Sequence, residues 1–206
     1  ESLFPVLTDI RGLKKRPSKA AMGRACRKQV SVADGFEAKV TMLNRFKDRE
    51  MFRIDLRHIT GHVGFRRFSD ELTDLAEVVV EQAAALVAER LTEQHGPPLL
   101  DDGRPCAWCI CAMGKFGGRE LGFGSDIELI FVYEGEGASR GTSPISNAQY
   151  FNDLVRDFTQ VVAAQREGIF EIDLRLRPFG NAGALAQVLH ETLGTLQLRR
   201  LGASCD

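Results

Sequence analysis

The sequence lacks a long hydrophobic run, an excess of charge of either sign and an apolar segment near its start. Its longest uninterrupted apolar run, residues 106–113, is 8 residues long, whereas a membrane span needs about 20. No secretory signal is recognisable in the first 30 residues. Lys and Arg number 27 against 28 Asp and Glu, for a net charge of -1. We therefore expect neither a membrane nor a nucleic acid as partner.

Cysteine is scarce and its number is odd. Five cysteines occur, whereas a secreted disulfide framework is typically even and dispersed. We therefore expect a reducing compartment, the cytoplasm. Cys106, Cys109 and Cys111 lie in the apolar run, and no second cysteine pair is present to complete a tetrahedral zinc site. The run predicts buried structural thiols.

The common nucleotide-binding motifs are also missing. The chain has no Gly-Lys-Ser/Thr step of a Walker loop, and no Gly-x-Gly-x-x-Gly opening a helix. Any nucleotide site must be built in another way. Because the chain starts with Glu1 rather than Met, we expect it to be a piece of a longer protein.

Three parts follow one another along the chain. Residues 1–33 form a basic arm, for which we expect a solvated helix or loop, with a phosphate- or acid-binding arm as the alternative. Residues 34–100 form a helical segment, in which one amphipathic helix starts near Phe36 and a second starts at the candidate cap Ser69. Residues 101–206 form the third part, in which strands begin.

The third part reads as strand, strand, helix, strand, which predicts a layered fold of helices on a sheet. Ser146 and Gln149 have the spacing of a capping box at the start of its helix, and Gly168 should end that helix. The predicted elements are a strand over 106–113, a glycine turn over 114–124, a strand over 126–133, a polar loop over 134–145, a helix from 146, and a strand over 169–177.

Three acidic residues are predicted to meet on this sheet. Side chains alternate along a strand, so Asp126 and Glu128 share one face of the second strand, and Asp173 lies on the polar face of the third. If these faces align, the three carboxylates converge and need a cation. Mg²⁺ prefers such oxygen ligands, and two such ions assist displacement at phosphorus.

The glycine turn directly before Asp126 offers the complement of such an acidic site. Glycines let backbone amides approach phosphate oxygens, and basic side chains balance phosphate charge. The alternative is an ordinary turn beside a solvated sheet face with cross-strand ion pairs. The candidate nucleotide-binding residues are Gly114, Lys115, Gly117, Gly118, Arg119, Arg175 and Arg177.

Two long motifs carry a resemblance to a known family. The stretches MGKFGGRELGFGSDIELIF at 113–131 and EIDLRLRP at 171–178, with GNAG at 180–183, resemble signatures of the glutamine synthetase adenylyltransferase/deadenylylase family. NRFKDREM at 44–51 and LTDLA at 72–76 resemble its helical lead-in. The resemblance covers about residues 40–190 and fades after Leu189.

The resemblance implies a polymerase-beta-like nucleotidyltransferase: an α+β mixed sheet with flanking helices, preceded by a helical segment. It implies that Gly117 and Gly118, with Ser125 nearby, hold the triphosphate of ATP. Asp126 and Glu128 would bind two Mg²⁺ ions, and Asp173 would be the third acid. The family usually has Asp where this chain has Glu128, so the metal geometry is expected to differ.

The implied reaction moves AMP from ATP to a tyrosine hydroxyl of glutamine synthetase and releases pyrophosphate, with Asp173 as a candidate acceptor of the hydroxyl proton. Glutamine synthetase and a nitrogen-signalling regulatory protein would be the partners. Family proteins carry two related halves. The chain could be the adenylylating half, the deadenylylating half that releases ADP by phosphorolysis, or a non-catalytic module that senses nucleotide or docks a partner.

Overall fold

The computed structural model describes residues 16–162, 170–175 and 185–189. Three helices come first and a mixed sheet with further helices follows, which is the α+β fold that the sequence predicted. The helices are α1 (Lys19–Ser31), α2 (Phe36–Ile59), α3 (Phe65–His95), α4 (Gly114–Gly117) and α5 (Asn147–Val161). The strands are β1 (Pro98–Leu100), β2 (Trp108–Ala112), β3 (Ile127–Tyr133), β4 (Gly137–Ser139), β5 (Ile172–Asp173) and β6 (Ala186–Val188).

The basic arm contains a packed helix. In α1, Met22, Cys26 and Val30 repeat every four residues, and all three are buried. This stripe packs against α2 and α3. The prediction of a helix is therefore confirmed for residues 19–31, but the helix is packed against its neighbours and not fully solvated. Many basic residues obscured the short apolar stripe. The divisions at residues 33 and 100 remain predictions.

The long helix α3 starts earlier than predicted. Ser69 was expected to cap it, but the helix begins at Phe65, after Gly64, and Ser69 is buried inside it. The earlier start is due to tertiary contacts. The Phe68 ring is fully buried between His58 and Phe123, whose ring centroids lie 4.7 and 4.5 Å away. Burial of this ring extends the helix toward its N-terminus.

The predicted end of α3 is confirmed. The helix ends at His95, and Gly96 follows with φ +80°. A Cβ on Gly96 would lie 2.0 Å from the carbonyl oxygen of Arg140, so the end of the helix and the loop after β4 pass in direct contact. None of the described helices is long and apolar enough to cross a bilayer.

Charged side chains are buried where α2 meets α3. Glu71 is 1% exposed and accepts hydrogen bonds from Arg57 at 3.1 Å and Arg53 at 3.4 Å. Glu50 accepts a further bond from Arg53 at 2.8 Å. The ionic cluster Glu50–Arg53–Arg57–Glu71 holds the two helices in one register, because each charge depends on a partner from the cluster.

Strand β3 organises the sheet. It pairs antiparallel with β2 along its length, parallel with β5 at its start and parallel with β6 at its end. A separate ribbon joins β1 to β4, so the predicted polar loop 134–145 contains a strand. One face of β3 packs on α5, where the rings of Phe131 and Phe158 lie 5.1 Å apart.

The helix α5 begins as its sequence predicts. Ser146 is the N-cap, and its hydroxyl accepts a hydrogen bond from the amide of Gln149 at 3.2 Å. The helix ends at Val161, because the next residue, Val162, has an extended backbone and caps it. The predicted end at Gly168 is therefore wrong: Gly168 itself lies outside the described residues, and the helix stops before it.

Two sequence predictions on the strands need correction. The strand predicted over 169–177 is a strand only at 172–173 among the described residues, because Phe170 has φ +59° and Arg175 lies in a turn. Cys109 was expected to be buried but is exposed. In β2, Trp108 and Ile110 pack against the core, and strand alternation turns Cys109 to the other side.

Candidate functional site

The glycine turn presses its backbone against an acidic side chain. Gly114 opens α4 with φ +50°, and a Cβ at this position would lie 1.5 Å from the Oε2 atom of Glu128. Gly117 lies close to the backbone of β2, because its Cβ would lie 2.5 Å from the carbonyl oxygen of Ala112. The turn therefore needs glycine at both positions to lie against β2 and β3.

Replacing Gly114 by alanine should displace the Glu128 carboxylate. The new methyl group cannot share space with that carboxylate, and a φ of +50° costs a non-glycine residue about 1 kcal/mol. We expect about a tenfold loss in Mg²⁺-dependent ATP binding by calorimetry. Gly122→Ala is the control, because its Cβ would meet only ordinary contacts at 3.7 Å or more. Equal binding by the two variants would contradict the prediction.

Two of the predicted acids lie opposite each other. Glu128 and Asp173 are direct partners in the parallel pairing of β3 with β5, so their side chains share one face of the sheet. Asp126 stands one residue before β3, and its carboxylate lies 3.8 Å from the guanidinium of Arg175. The alternation of the two strands thus places Glu128 and Asp173 on one face, as the sequence predicted.

Arg175 bridges these acids. Its side chain donates to both carboxylate oxygens of Asp173, at 2.7 to 3.0 Å, while its backbone amide donates to Oδ1 at 2.8 Å. These hydrogen bonds hold the pKa of Asp173 below its usual value. The site therefore keeps Asp173 ionised and gathers positive charge between Asp126 and Asp173.

The donor set suits a hard divalent cation in its chemistry, because it consists of carboxylate oxygens. The bridging guanidinium shows that two of these carboxylates already share one cation. Among the described residues, no three acidic, histidine or cysteine side chains are grouped closely enough to hold a metal ion. Arg175 would have to leave the carboxylates before Asp126, Glu128 and Asp173 could ligate one together.

The other predicted nucleotide-binding residues have varied surroundings. Arg119 has φ +59°, and its guanidinium donates to Asp74 at 2.6 Å and to Glu77 at 2.8 Å. This pairing ties the glycine turn to α3. The Ser125 hydroxyl accepts from the amide of Gly122 at 3.0 Å. Their contacts with a nucleotide stay predictions, as do those of the exposed Gly118 and Lys115; Arg177 lies outside the described residues.

A pocket beside Asp126 contains an acid that the sequence analysis did not single out. Asp55 of α2 lies four residues after the buried Met51, so the spacing on the apolar face could have indicated it. Burial raises the pKa of Asp55 to about 6. The pocket is lined by Met51, Asp55, Leu72, Leu121, Gly122, Phe123, Gly124, Ser125, Ile127 and Phe170.

Asp55→Asn should stabilise the protein at neutral pH. The folded-state pKa lies above the unfolded value of 3.8. Ionisation of Asp55 therefore lowers the free energy of unfolding as the pH rises from about 4 to about 6, and the whole loss is present above pH 6. We expect a gain of about 1 kcal/mol at pH 7, since partial exposure screens the charge, and none near pH 3. Urea denaturation at several pH values measures it. The nearby His58 opposes the burial effect, and a gain independent of pH would contradict the prediction.

Fold and site together define an α+β domain in which a glycine turn borders a carboxylate face. Comparison with known proteins gives the family. A sequence model of the family described as glutamate-ammonia ligase adenylyltransferase matches residues 3–192. This match extends beyond the motifs toward the N-terminus and ends close to the point at which the resemblance fades.

Curated relatives agree. A bifunctional glutamine synthetase adenylyltransferase/adenylyl-removing enzyme of Thioalkalivibrio sulfidiphilus is 41% identical over 76% of this chain and 16% of its own length. Proteins of the same name from Pseudomonas aeruginosa and Methylococcus capsulatus are each 34% identical, over 90% and 89% of this chain. The chain belongs to the glutamate-ammonia ligase adenylyltransferase family, and it spans a fifth or less of the length of these relatives.

Proposed function

We propose that this chain is a nucleotidyltransferase unit that moves AMP from ATP to a tyrosine hydroxyl of glutamine synthetase. The observation that carries the proposal is the direct pairing of Glu128 with Asp173 beside the glycine turn. Clustered carboxylates next to a close-packed glycine backbone suit a phosphate ligand that arrives with divalent cations. Membership of the family and the printed names of the relatives support the substrate pair.

In this proposal the chain's own residues position the reactants. Asp126, Glu128 and Asp173 would hold two Mg²⁺ ions. When bound, these ions supply positive charge that makes the attacking hydroxyl more acidic and stabilises the leaving pyrophosphate. Asp173 is ionised, so it can accept the hydroxyl proton.

The basic residues have the complementary task. The Arg175 side chain is 72% exposed and already pairs with the carboxylates of Asp126 and Asp173. Once cations occupy the carboxylates, its guanidinium is free to turn to a phosphate, which it can bind in the same two-pronged way. Exposed Lys115, at the start of the turn, can add a second positive charge.

A transfer assay tests the proposal. The chain is incubated with ATP, Mg²⁺ and unmodified glutamine synthetase, and the mass of the glutamine synthetase subunit is recorded together with pyrophosphate release. We expect one AMP per modified subunit, on a tyrosine, and no modification when EDTA replaces Mg²⁺. ATP binding by a folded chain without any transfer would instead indicate the sensing or docking module.

The relatives' printed name also includes an adenylyl-removing activity, so the reverse half needs its own arm. AMP-modified glutamine synthetase is supplied with orthophosphate in place of ATP. Release of ADP in this arm, without AMP transfer in the first, would assign the chain to the deadenylylating half.

A further inference from the structure

Two thiols lie side by side on the outer strand of the sheet. Cys109 and Cys111 are two residues apart on β2, so both side chains leave the same face. Their direct partners on β3 are Val132 and Ile130. Since Ile130 is two residues beyond Glu128, the two thiols occupy the same sheet face as the carboxylates. Cys109 is exposed and Cys111 is half-buried.

The two thiols interact with each other. Because the two side chains leave the same face of β2, each thiol shifts the pKa of the other: the pKa of Cys109 falls to about 7 and that of Cys111 rises. The exposed sulfur of Cys109 is better solvated than the half-buried sulfur of Cys111, so the negative charge is carried by Cys109. A thiolate that is accessible to solvent is the form that attacks disulfides.

The other two described thiols are different. Cys26 and Cys106 are buried, and burial raises the pKa of each. Cys106 donates weakly to the carbonyl oxygens of Ala107 and Gly135. Among the four cysteines that the structure describes, reactivity should therefore be confined to the pair on β2, and Cys106 is a natural control only three residues away.

We propose that Cys109 and Cys111 form a reactive dithiol, a modification site that closes to an intrastrand disulfide by exchange with a small-molecule disulfide such as oxidised glutathione. Residues two apart on a strand have Cα atoms about 6.6 Å apart, near the upper end of the range that disulfides span, and their parallel Cβ atoms lie farther apart than the ~3.5–4.5 Å of a disulfide. The edge strand must therefore bend locally to close the bond, so the bond is strained and easily reduced. The site is thus reversible rather than structural.

The exchange balances in two steps. The Cys109 thiolate attacks one sulfur of oxidised glutathione, forms a mixed disulfide and releases glutathione thiolate, which takes up a proton. Cys111 then loses its proton to solvent and attacks the Cys109 sulfur, which forms the intrastrand bond and releases a second glutathione. Both cysteines are oxidised, and one glutathione disulfide is reduced to two thiols.

Peptide mapping of the whole chain tests the proposal. The reduced protein is treated with excess oxidised glutathione, blocked with N-ethylmaleimide and digested with trypsin, which leaves residues 91–115 as one peptide because Pro105 protects Arg104. We expect this peptide to lose two hydrogens and to carry one maleimide, on Cys106. Cys106→Ser should still close the bond, whereas Cys111→Ser should retain a stable glutathione adduct on Cys109.

Several results would overturn the dithiol proposal. A wild-type peptide that keeps glutathione on Cys109, or a disulfide that includes Cys106 or Cys205, would overturn the proposal. An independent measurement uses phenylarsine oxide, a trivalent arsenical that bridges neighbouring thiols. It should bind at one equivalent to the wild type and to Cys106→Ser, and at least tenfold more weakly to Cys109→Ser and to Cys111→Ser. Equal binding by all four proteins would also overturn it.

Discussion

The double variant Asp126→Asn/Glu128→Gln is expected to lose Mg²⁺-dependent ATP binding by at least about 100-fold. Both carboxylates would become neutral amides of the same shape, so the site keeps its size and loses two anionic ligands. Outer residues that only orient a metal ligand typically cost 10–100-fold when changed, and the ligands themselves should cost more. Calorimetry with Mg²⁺, and then with EDTA, measures the effect.

The matched control is Asp101→Asn, which neutralises an exposed carboxylate in the turn after β1. It should bind ATP like the wild type, and both variants should melt close to the wild type. An unchanged ATP affinity in the double variant would remove the metal role of Asp126 and Glu128. It would leave the family membership untouched.

Glu71→Ala is expected to cost about 3–5 kcal/mol of unfolding free energy. The side chain is 1% exposed and accepts hydrogen bonds from Arg53 and Arg57. Its removal leaves two buried guanidiniums without their shared carboxylate, and breaking a buried ion pair from one side is strongly destabilising. Urea denaturation gives the difference in the free energy of unfolding, provided that its dependence on urea concentration has the same slope in the two proteins.

Glu89→Ala, on the same helix, is the control for this measurement. Glu89 is 55% exposed and pairs with Lys39 at 3.5 Å, so its loss should cost less than about 1 kcal/mol. Glu71→Gln separates charge from hydrogen bonding and should lie between the two. A loss below 1 kcal/mol for Glu71→Ala would mean that the cluster Glu50–Arg53–Arg57–Glu71 does not hold the helices.

The features that could be predicted from the sequence were those that depend on local or periodic patterns. The cap of α5 was predictable because Ser146 and Gln149 are three residues apart and the bond between them is local. Strand alternation predicted that Glu128 and Asp173 would share a face if their strands paired with these faces aligned, and the pairing of β3 with β5 confirms it. The α+β order followed from the change of period along the chain.

The features that could not be predicted from the sequence were those that depend on contacts between distant residues. Ser69 has the composition of a cap, yet Phe68 finds a pocket between two other rings and carries the helix past it. The contacts of Arg119 with Asp74 and Glu77, which lie more than 40 residues away in the sequence, were not predicted either; its role as a phosphate ligand stays a prediction. Cys109 stands in a run of apolar letters, which hides the alternation that exposes it.

The helix α3 connects distant parts of this unit mechanically. Its 31 residues make a rod about 46 Å long. Near its start, Asp74 holds the guanidinium of Arg119 in the glycine turn, while at its other end Gly96 touches the backbone of Arg140. A long helix that tilts as one body moves both of its ends. A displacement of the loop at Arg140 should therefore tilt α3 and shift the glycine turn that Asp74 holds.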